Sequence, residues 1–339
     1  MNKRVLTGMR TTGSLHLGHY VGALKQWLDV QNSGEYECFF LLADVQALTT
    51  HADRPHLLEQ SVRDCVLDWI AVGLDPRKSH FVLQSQVPER HELSVLLMMI
   101  AGYAEVMRNP TLKTELANQQ NATMGFMAYP VDQVADIYMV SPTPPEKGDE
   151  ILVPVGADQV PHLEYARVLA RRFNQKYGKV FVPCKPLVGE VGRLVGVDGK
   201  AKMSKSLGNT INLSDSAEMV TKQVMRMFTD PKRIRPDIPG DTENNPVFIY
   251  HRAFNTDPEE LDDLTERYQQ GKVGDTEVKK KLAKVLNDFL DPIRERRKKF
   301  ERTDIREFVI EGTKAAREAC APVVEAARSC MHLKYPSST

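Results

Sequence analysis

The sequence predicts a doubly wound α/β domain built on a parallel sheet, followed by an all-helical C-terminal region. Over the first part of the chain, short apolar runs alternate with longer helical patterns, which is typical of parallel strands joined by right-handed helical crossovers. From about residue 214 onward, amphipathic helical patterns separated by Pro-, Asp- and Gly-containing stretches replace the strand pattern. An α/β domain followed by an all-α domain is therefore the simplest division.

The individual elements follow from this alternation. Continuous apolar runs predict buried strands at 5–8, 38–44, 81–85 and 151–155. Helical patterns predict helices at about 18–30, 55–72 and 158–174, with another beginning at Pro88. We expect Asp53 to cap the second of these helices and the Pro-rich stretch 141–150 to be an exposed loop. The expected domains are 1–211, with a mainly helical insertion at about 105–150, and 212–339.

Composition narrows the class of protein. Lys plus Arg equals Asp plus Glu, 45 against 45, so no net charge attracts nucleic acid over long range. The five cysteines are odd in number and form no CxxC or CxH pair, which argues against a disulfide framework and a zinc site. No secretory signal pattern opens the sequence, and the most apolar window, about 94–104, is too short to span a bilayer. We expect a cytoplasmic protein without a structural metal.

The first candidate site is the tetrapeptide His-Leu-Gly-His at 16–19, where the first predicted strand turns into the first helix. A helix start offers free backbone N–H groups and the positive end of the helix dipole, so this turn is suited to a phosphate. Gly18 would let a nucleotide approach the backbone, and His16 and His19 could donate hydrogen bonds to its phosphate oxygens. A solvated surface pair or a metal-site fragment is the alternative, but no third ligand is in view.

The second candidate site is the pentapeptide Lys-Met-Ser-Lys-Ser at 202–206, flanked by Gly199 and Gly208. The flanking glycines predict a mobile loop, and its two lysines could close on a polyphosphate and stabilise charge on departing pyrophosphate. An ordinary basic surface loop is the alternative for this motif alone. The two motifs, in this order on an α/β chain of this size, are far more specific than either one.

These two motifs resemble the HIGH and KMSKS signatures of the class I aminoacyl-tRNA synthetases, and within that class the chain resembles the tryptophanyl-tRNA synthetases of the bacterial type. The stretches 129–137, 153–159 and 171–174 support the resemblance, which covers nearly the whole chain. It implies a Rossmann-like catalytic domain and a helical domain that reads the anticodon. It also implies a homodimer that uses ATP and Mg²⁺ to make tryptophanyl-adenylate and pyrophosphate, and then transfers the amino acid to tRNA(Trp).

The resemblance also implies which residues form the site. Asp136 would accept the indole N–H, and a buried acceptor agrees with this role because it rejects side chains that lack a donor. The other implied tryptophan-binding residues are Gln133, Tyr129, Gln46, Gln159 and Leu6. The implied ATP-binding residues are Arg10, Thr11, Thr12, Gly18, His19, Gly156, Ala157, Asp158, Leu194, Lys202, Met203, Ser204, Lys205 and Ser206. The implied catalytic residues are His16, His19, Lys113, Lys202 and Lys205.

Three features depart from the common bacterial pattern. Arg10 stands where glutamine is usual, Gln46 stands where a histidine usually lines the amino-acid pocket, and the Pro-rich stretch 141–150 is longer than its counterpart. These changes suggest a divergent or auxiliary branch with altered affinity for tryptophan or its analogues. For RNA contact, the sequence offers two basic clusters in the helical region, at 279–284 and 294–302, for which a solvated helix face is the alternative.

Three other functions remain open at this stage. A tyrosyl-tRNA synthetase shares both motifs, although Leu6 occupies the neighbourhood where that family normally presents a tyrosine to its substrate's hydroxyl. A small-molecule adenylating enzyme or nucleotidyltransferase would not need the complete helical region. A catalytically idle paralogue that only binds RNA or a protein is disfavoured by the intact His16, His19, Lys202 and Lys205.

Overall fold

The computed structural model describes residues 3–117, 122–189, 194–201, 203–230, 233 and 235–333. Its centre is one parallel sheet of five strands in the order β3-β2-β1-β4-β5. The strands are β1 (Lys3–Arg10), β2 (Glu37–Ala43), β3 (Ser79–Leu83), β4 (Glu150–Val155) and β5 (Cys184–Val188). The strand order reverses direction between β1 and β4, which defines a doubly wound, Rossmann-like sheet. The predicted fold class is confirmed.

Helices cover both faces of the sheet, and within the described residues they are the main elements outside it. Up to the last strand they are α1 (Leu17–His19), α2 (Lys25–Ser33), α3 (Asp44–His51), α4 (Leu58–Val72), α5 (Pro88–Met98), α6 (Tyr103–Val106), α7 (Pro110–Leu116), α8 (Met124–Tyr138) and α9 (Val160–Lys176). The later helices are α10 (Ala217–Met225), α11 (Pro246–Phe254), α12 (Pro258–Gln269), α13 (Asp275–Phe300) and α14 (Arg306–Cys330). A π-helical turn, Tyr20–Leu24, joins α1 to α2.

Alternate residues of the central strands build one apolar core on each side of the sheet. On one side, Phe40 of β2 stacks on Trp27 with ring centroids 5.2 Å apart, and Trp69 closes the cluster edge-on. On the other side, Phe39 and Leu41 pack with residues of α8 and α9. Burial on both faces explains why the strands appear as continuous apolar runs in the sequence.

Two local predictions were wrong. Asp53 is not a cap: Arg54 is the N-cap residue of a short 3₁₀ turn, Pro55–Leu57, and neither that turn nor α4 has a capping side-chain hydrogen bond. The third strand ends at Leu83, because Gln84–Gln86 forms a 3₁₀ turn instead. Strand β5 was missed. Within the described residues no strand follows Val188, as the sequence predicted.

The last helix returns to the sheet. Gly312 of α14 lies so close to Phe81 of β3 that a Cβ atom there would meet the Phe81 backbone at 2.4 Å. Leu83 donates its backbone N–H to the hydroxyl oxygen of Thr313 at 3.0 Å. Helix α14 therefore covers the β3 edge of the α/β layer, although it lies beyond the predicted boundary at 211, which stays a prediction.

The candidate site lies where strands β1 and β4 stop pairing with each other. They pair only over the first residues of β1, from Lys3 to Val5, although β1 continues to Arg10. Beyond that point the hydroxyl of Thr7 bridges the gap by donating to the carbonyl oxygen of Pro154 at 2.7 Å. The strands thus separate at their carboxyl ends, at the point where the strand order reverses, and such crevices are the usual ligand sites of open α/β sheets.

Candidate functional site

A pocket of about 440 Å³ opens at this crevice. Larger hollows exist, for example about 700 Å³ beside α9 and β5, but this one lies at the switch point of the sheet. It brings together half of the residues that the sequence proposed, and they come from four separate stretches of the chain. The predicted residues that line it are Leu6, Arg10, Thr12, His19, Gln46, Tyr129, Gln133, Asp136, Gly156, Asp158 and Gln159.

Asp136 lies on the inner wall of the pocket, in α8, and only 3% of it is exposed. Its Oδ1 accepts hydrogen bonds from Arg90 Nε at 2.6 Å and from Gln84 Nε2 at 3.0 Å. Burial raises the pKa of Asp136 to about 6, while the Arg90 guanidinium opposes this rise, so the carboxyl group is mainly ionised at neutral pH. The pocket therefore presents a buried anionic acceptor.

Tyr129 and His162 form the neighbouring wall. The Tyr129 hydroxyl and His162 Nε2 are 3.4 Å apart, and Asn109 Nδ2 lies 3.3 Å from His162 Nδ1. Burial and the nearby Glu115 carboxylate raise the pKa of Tyr129, so its hydroxyl keeps its proton. Glu115 also faces Arg10, with 4.0 Å between its Oε1 and Arg10 Nη2. These contacts connect the pocket wall to its rim.

The His-Leu-Gly-His turn forms the opposite side of the pocket mouth. His16 is the N-cap residue of α1, and its backbone N–H points to His19 Nδ1 at 3.2 Å. When Nδ1 accepts this hydrogen bond, the proton of a neutral His19 is on Nε2, which makes Nε2 a donor. The two rings lie 3.8 Å apart. A Cβ atom on Gly18 would meet His16 Nδ1 at 2.9 Å, so the close packing of this turn requires glycine.

Both histidines have lowered pKa values, which favours their neutral forms. Burial, followed by the Lys205 charge, lowers the pKa of His16 to about 4. Burial, His16 and Lys205 lower the pKa of His19 well below its ordinary value. His16 Nδ1 and Thr11 Oγ1 are buried with no hydrogen-bond partner among the described residues. Unpartnered buried polar atoms are uncommon, and two of the four in the described part of the chain lie in or beside the turn expected to hold phosphate.

The second motif packs directly against the first. Lys205 Nζ donates to the carbonyl oxygen of Thr12 at 3.1 Å, and Leu17 donates its backbone N–H to Ile211 at 2.9 Å. Leu213 in turn donates to the carbonyl oxygen of Leu15 at 2.9 Å. Burial lowers the pKa of Lys205. Lys205 therefore lies beside the segment that leads into the first motif, whereas Lys202 lies outside the described residues.

The buried carboxylate of Asp68 holds the backbone next to the His-Leu-Gly-His turn. Leu15 donates its backbone N–H to Asp68 Oδ2 at 2.8 Å, and Asp68 Oδ1 accepts from Arg297 Nε at 2.9 Å. Arg297 also donates to Asp64 Oδ1 at 2.9 Å. The turn that carries His16 is therefore fixed to α4 and, through Arg297, to α13.

The remaining predicted residues lie around the pocket. Gly156 precedes a 3₁₀ turn, Ala157–Gln159, and a Cβ atom on it would meet Asp158 Oδ1 at 2.8 Å. Gln159 donates from Nε2 to Asp158 Oδ2 at 2.9 Å. Ala157 and Lys113 are exposed and do not line the pocket. In the second motif, Met203 donates its backbone N–H to the carbonyl oxygen of Leu194 and Ser204 donates its backbone N–H to Asn209 Oδ1, while for Ser206 only the backbone is described.

The structure corrects the expected RNA contacts. Lys279 is buried and donates to Met227 and Thr229, at 2.6 and 2.7 Å, so its ammonium group faces the protein interior. Arg297 is engaged by Asp68 and Asp64, as described above. The cluster members that stay exposed without a described ion pair are Lys280, Lys298, Lys299 and Arg302.

Sequence reasoning missed four residues of the site: Gln84, Arg90, Glu115 and His162. Gln84 follows the carboxyl end of β3, a position where parallel sheets collect ligand-binding side chains, so this signal could have found it. Arg90 and Glu115 carried no such signal, since a charged residue on an amphipathic helix normally faces solvent.

Comparisons with known proteins agree with this geometry. Residues 2–291 match the family described as tRNA synthetases class I (W and Y). The chain is 42% identical over 339 residues to the tryptophan--tRNA ligase of Clostridium longisporum, covering 98% of this chain and 97% of that protein. It is 48% identical over 302 residues to that of Treponema pallidum, covering 88% and 87%. A Campylobacter jejuni tryptophanyl-tRNA synthetase complexed with ADP and tryptophan superimposes with a TM-score of 0.83, at 31% identity, covering 97% of this chain and 99% of that one.

Proposed function

The chain belongs to the class I tRNA synthetases of the tryptophan and tyrosine family, and we propose that the pocket between β1 and β4 is its active site. Its activity is that of a tryptophan--tRNA ligase. It activates L-tryptophan with ATP to form tryptophanyl-adenylate and pyrophosphate, and it then transfers the amino acid to tRNA(Trp). What we propose is the role of each residue in this reaction.

Tryptophan recognition is assigned to the Asp136 side of the pocket. The indole ring has a single polar atom, its N–H, in an otherwise apolar outline, so one fixed acceptor is enough to orient it. Asp136 is buried, forms an ion pair with Arg90, and lines the pocket together with Leu6 and Tyr129. Gln46, Gln133 and Gln159 complete this end. The buried Asp136 carboxylate in the wall of the pocket, paired with Arg90, is the observation that carries the assignment.

Nucleotide binding is assigned to the opposite end. There Arg10, Thr11, Thr12, Gly18 and Gly156 line the approach for ATP, with Asp158 beside them. Attack of the tryptophan carboxylate on the α-phosphorus breaks its bond to the bridging oxygen and releases pyrophosphate. His16, His19, Lys202 and Lys205 stabilise the charge that develops, and Lys113 assists with the triphosphate. We place Mg²⁺ with the ATP, whose phosphate oxygens are the hard ligands it prefers.

The chain is proposed to act as a homodimer. Apolar side chains at the end of α5 and in α6 are exposed: Val95, Met98, Met99 and Tyr103. Val95, Met98 and Met99 share one helix face, because they are three and four residues apart. An exposed apolar patch of this kind is typical of a protein interface. Sedimentation of the purified chain tests this, since a monomer at micromolar concentration would contradict it.

The remaining assignments concern the second domain and the cell compartment. We propose that 212–339 reads the anticodon and that 1–211 carries out catalysis. The exposed Lys280 and Lys299 are the candidates for contact with RNA phosphates. A cytoplasmic location is consistent with the five free cysteines, of which four are buried.

One assay tests the assignment of the pocket. ATP–pyrophosphate exchange should depend on tryptophan and not on tyrosine. Asp136→Ala should lower kcat/KM for tryptophan at least about a hundredfold, because the indole donor would lose its partner in a buried site. Glu89→Gln, which alters an ion pair on the outside of α5, is the control. Unchanged exchange by Asp136→Ala would contradict the pocket assignment.

A further inference from the structure

The two oxygens of Asp136 have different surroundings. Oδ1 accepts two hydrogen bonds, from Arg90 Nε and from Gln84 Nε2. Among the residues that the structure describes, Oδ2 accepts one hydrogen bond, the second contact of the Gln84 amide, at 3.0 Å. A carboxylate oxygen can accept two hydrogen bonds, so Oδ2 keeps acceptor capacity that Oδ1 has used. The described contacts therefore distinguish one oxygen from the other.

The two donors are themselves fixed. Gln84 accepts the backbone N–H of Gln46 on its Oε1 at 3.1 Å, which leaves its amide N–H groups directed at Asp136. Arg90 is fully buried, and its guanidinium is held on every side. Its Nη2 donates to the Asp132 carbonyl oxygen at 2.9 Å and also contacts the Asp132 carboxylate, while Nη1 lies 2.8 Å from His91 Nδ1.

We propose that Arg90, held by Asp132, is a positioning residue for tryptophan: it occupies Oδ1 of Asp136, keeps the carboxylate ionised, and reserves Oδ2 for the indole N–H. This inference rests on the proposed pocket and deepens it. Arg90 is separated from the substrate by Asp136, so it acts only through that carboxylate. A buried carboxylate without such a cation would take up a proton, since burial disfavours its charged form.

Other charged groups around Asp136 influence its titration. From α8, Asp132 raises the Asp136 pKa, whereas Arg90 on α5 lowers it. His91 on α5 has a lowered pKa, caused mainly by burial and then by Arg90. Cys320 of α14 faces the same cluster, and burial raises its pKa, so it stays a neutral thiol. Arg90 is the one cation among these groups that contacts Asp136 directly, and its removal should raise the Asp136 pKa further.

The sharpest test substitutes Arg90→Gln and measures tryptophan-dependent ATP–pyrophosphate exchange between pH 6 and pH 9. At pH 7, KM for tryptophan should rise about tenfold or more, the loss expected for one hydrogen bond to a charged group. At saturating tryptophan, kcat and KM for ATP should stay within about twofold. In the variant, KM for tryptophan should fall as pH rises, because Asp136 ionises at a higher pH than in the unsubstituted enzyme. Arg90→Lys should restore part of the affinity by returning the charge.

Glu89→Gln is the matched control, since Glu89 lies next to Arg90 in sequence but pairs with Arg317 outside the pocket. If Arg90→Gln does not fold, Asp132→Asn takes its place, because the partly exposed Asp132 holds the Arg90 guanidinium. This substitution should give a smaller rise in KM for tryptophan. A folded Arg90→Gln with unchanged KM and pH profile would overturn the inference. Asp136→Ala separates the two proposals: if it abolishes tryptophan activation while Arg90→Gln changes nothing, only the role of Arg90 fails.

Discussion

The two ends of the pocket differ in how completely the protein satisfies its own polar groups. At the tryptophan end, the carboxylate of Asp136 and the side chains of Gln84 and Arg90 are joined by hydrogen bonds that hold the carboxylate in place. At the nucleotide end, His16 Nδ1 and Thr11 Oγ1 are buried without a partner among the described residues. The pKa values of the two histidines there are lowered, mainly by burial.

This difference matches the two ligands. Indole presents one weak donor, so its site needs a rigid acceptor that is complete before the substrate arrives. A triphosphate brings its own negative charge and many acceptor oxygens, so its site benefits from donors that have no partner beforehand. A phosphate would also oppose the lowering of the histidine pKa values, which is caused mainly by burial, by supplying an opposite charge. We therefore expect substitutions at the two ends to change different kinetic constants.

The largest expected effect is a loss of stability when Arg297, which supports the turn that carries His16 through Asp68, is replaced. Arg297→Ala removes the cation from Asp68, which is fully buried and also holds the Leu15 backbone. Breaking a buried ion pair from one side costs about 3–5 kcal/mol, so the free energy of unfolding in urea should fall by about 3 kcal/mol. Lys298→Ala, the exposed neighbour in sequence, is the control. A stable Arg297→Ala with a weaker, salt-dependent affinity for tRNA would instead support a phosphate-binding role.

Next in size is the loss of the lysine at the nucleotide end. Lys205→Ala should raise the barrier to adenylation by about 2–4 kcal/mol, the loss typical of one donor aimed at developing charge. Since Lys205 contacts Thr12 and no residue of the Asp136 network, KM for tryptophan should stay within about twofold. Pyrophosphate exchange measures both constants, and Lys200→Ala in the same loop is the control. An equal rise in KM for tryptophan would show that the two ends are not independent.

The sequence predicts elements that have a local pattern, but it does not predict contacts between residues that are far apart in the chain. The central strands were predicted because burial on both faces leaves continuous apolar runs. The edge strand β5 was missed because Lys185 and Pro186 interrupt its apolar pattern and it has one neighbour only. Arg90 and Arg297 look like solvated charges in the sequence. Their roles depend on which helix packs against which, and local patterns do not contain that information.

A third prediction concerns the dependence of the unfolding free energy on pH in the acidic range. The pKa of His16 is lowered from 6.5 to about 4, so the unfolded chain binds more protons between these values and stability falls as the pH falls through this window. From pH 6.5 to pH 5 this one group should cost about 1.5 kcal/mol. His16→Gln should flatten the curve of unfolding free energy against pH, whereas His56→Gln, at an exposed site, should not. A steep curve retained in His16→Gln would assign the dependence to His19 or to another group.

The smallest expected effect lies at the rim, where the two ends meet. Arg10 and Glu115 are 4.0 Å apart with side chains 40% and 35% exposed, and pairs of this kind contribute about 1 kcal/mol or less. Arg10→Gln should therefore change the free energy of unfolding by less than about 1 kcal/mol. Because it removes one positive charge near the triphosphate, KM for ATP should rise about fivefold or less, with KM for tryptophan unchanged. A rise of a hundredfold would mean that Arg10 leaves Glu115 and binds phosphate directly, so that the rim belongs to the nucleotide end alone.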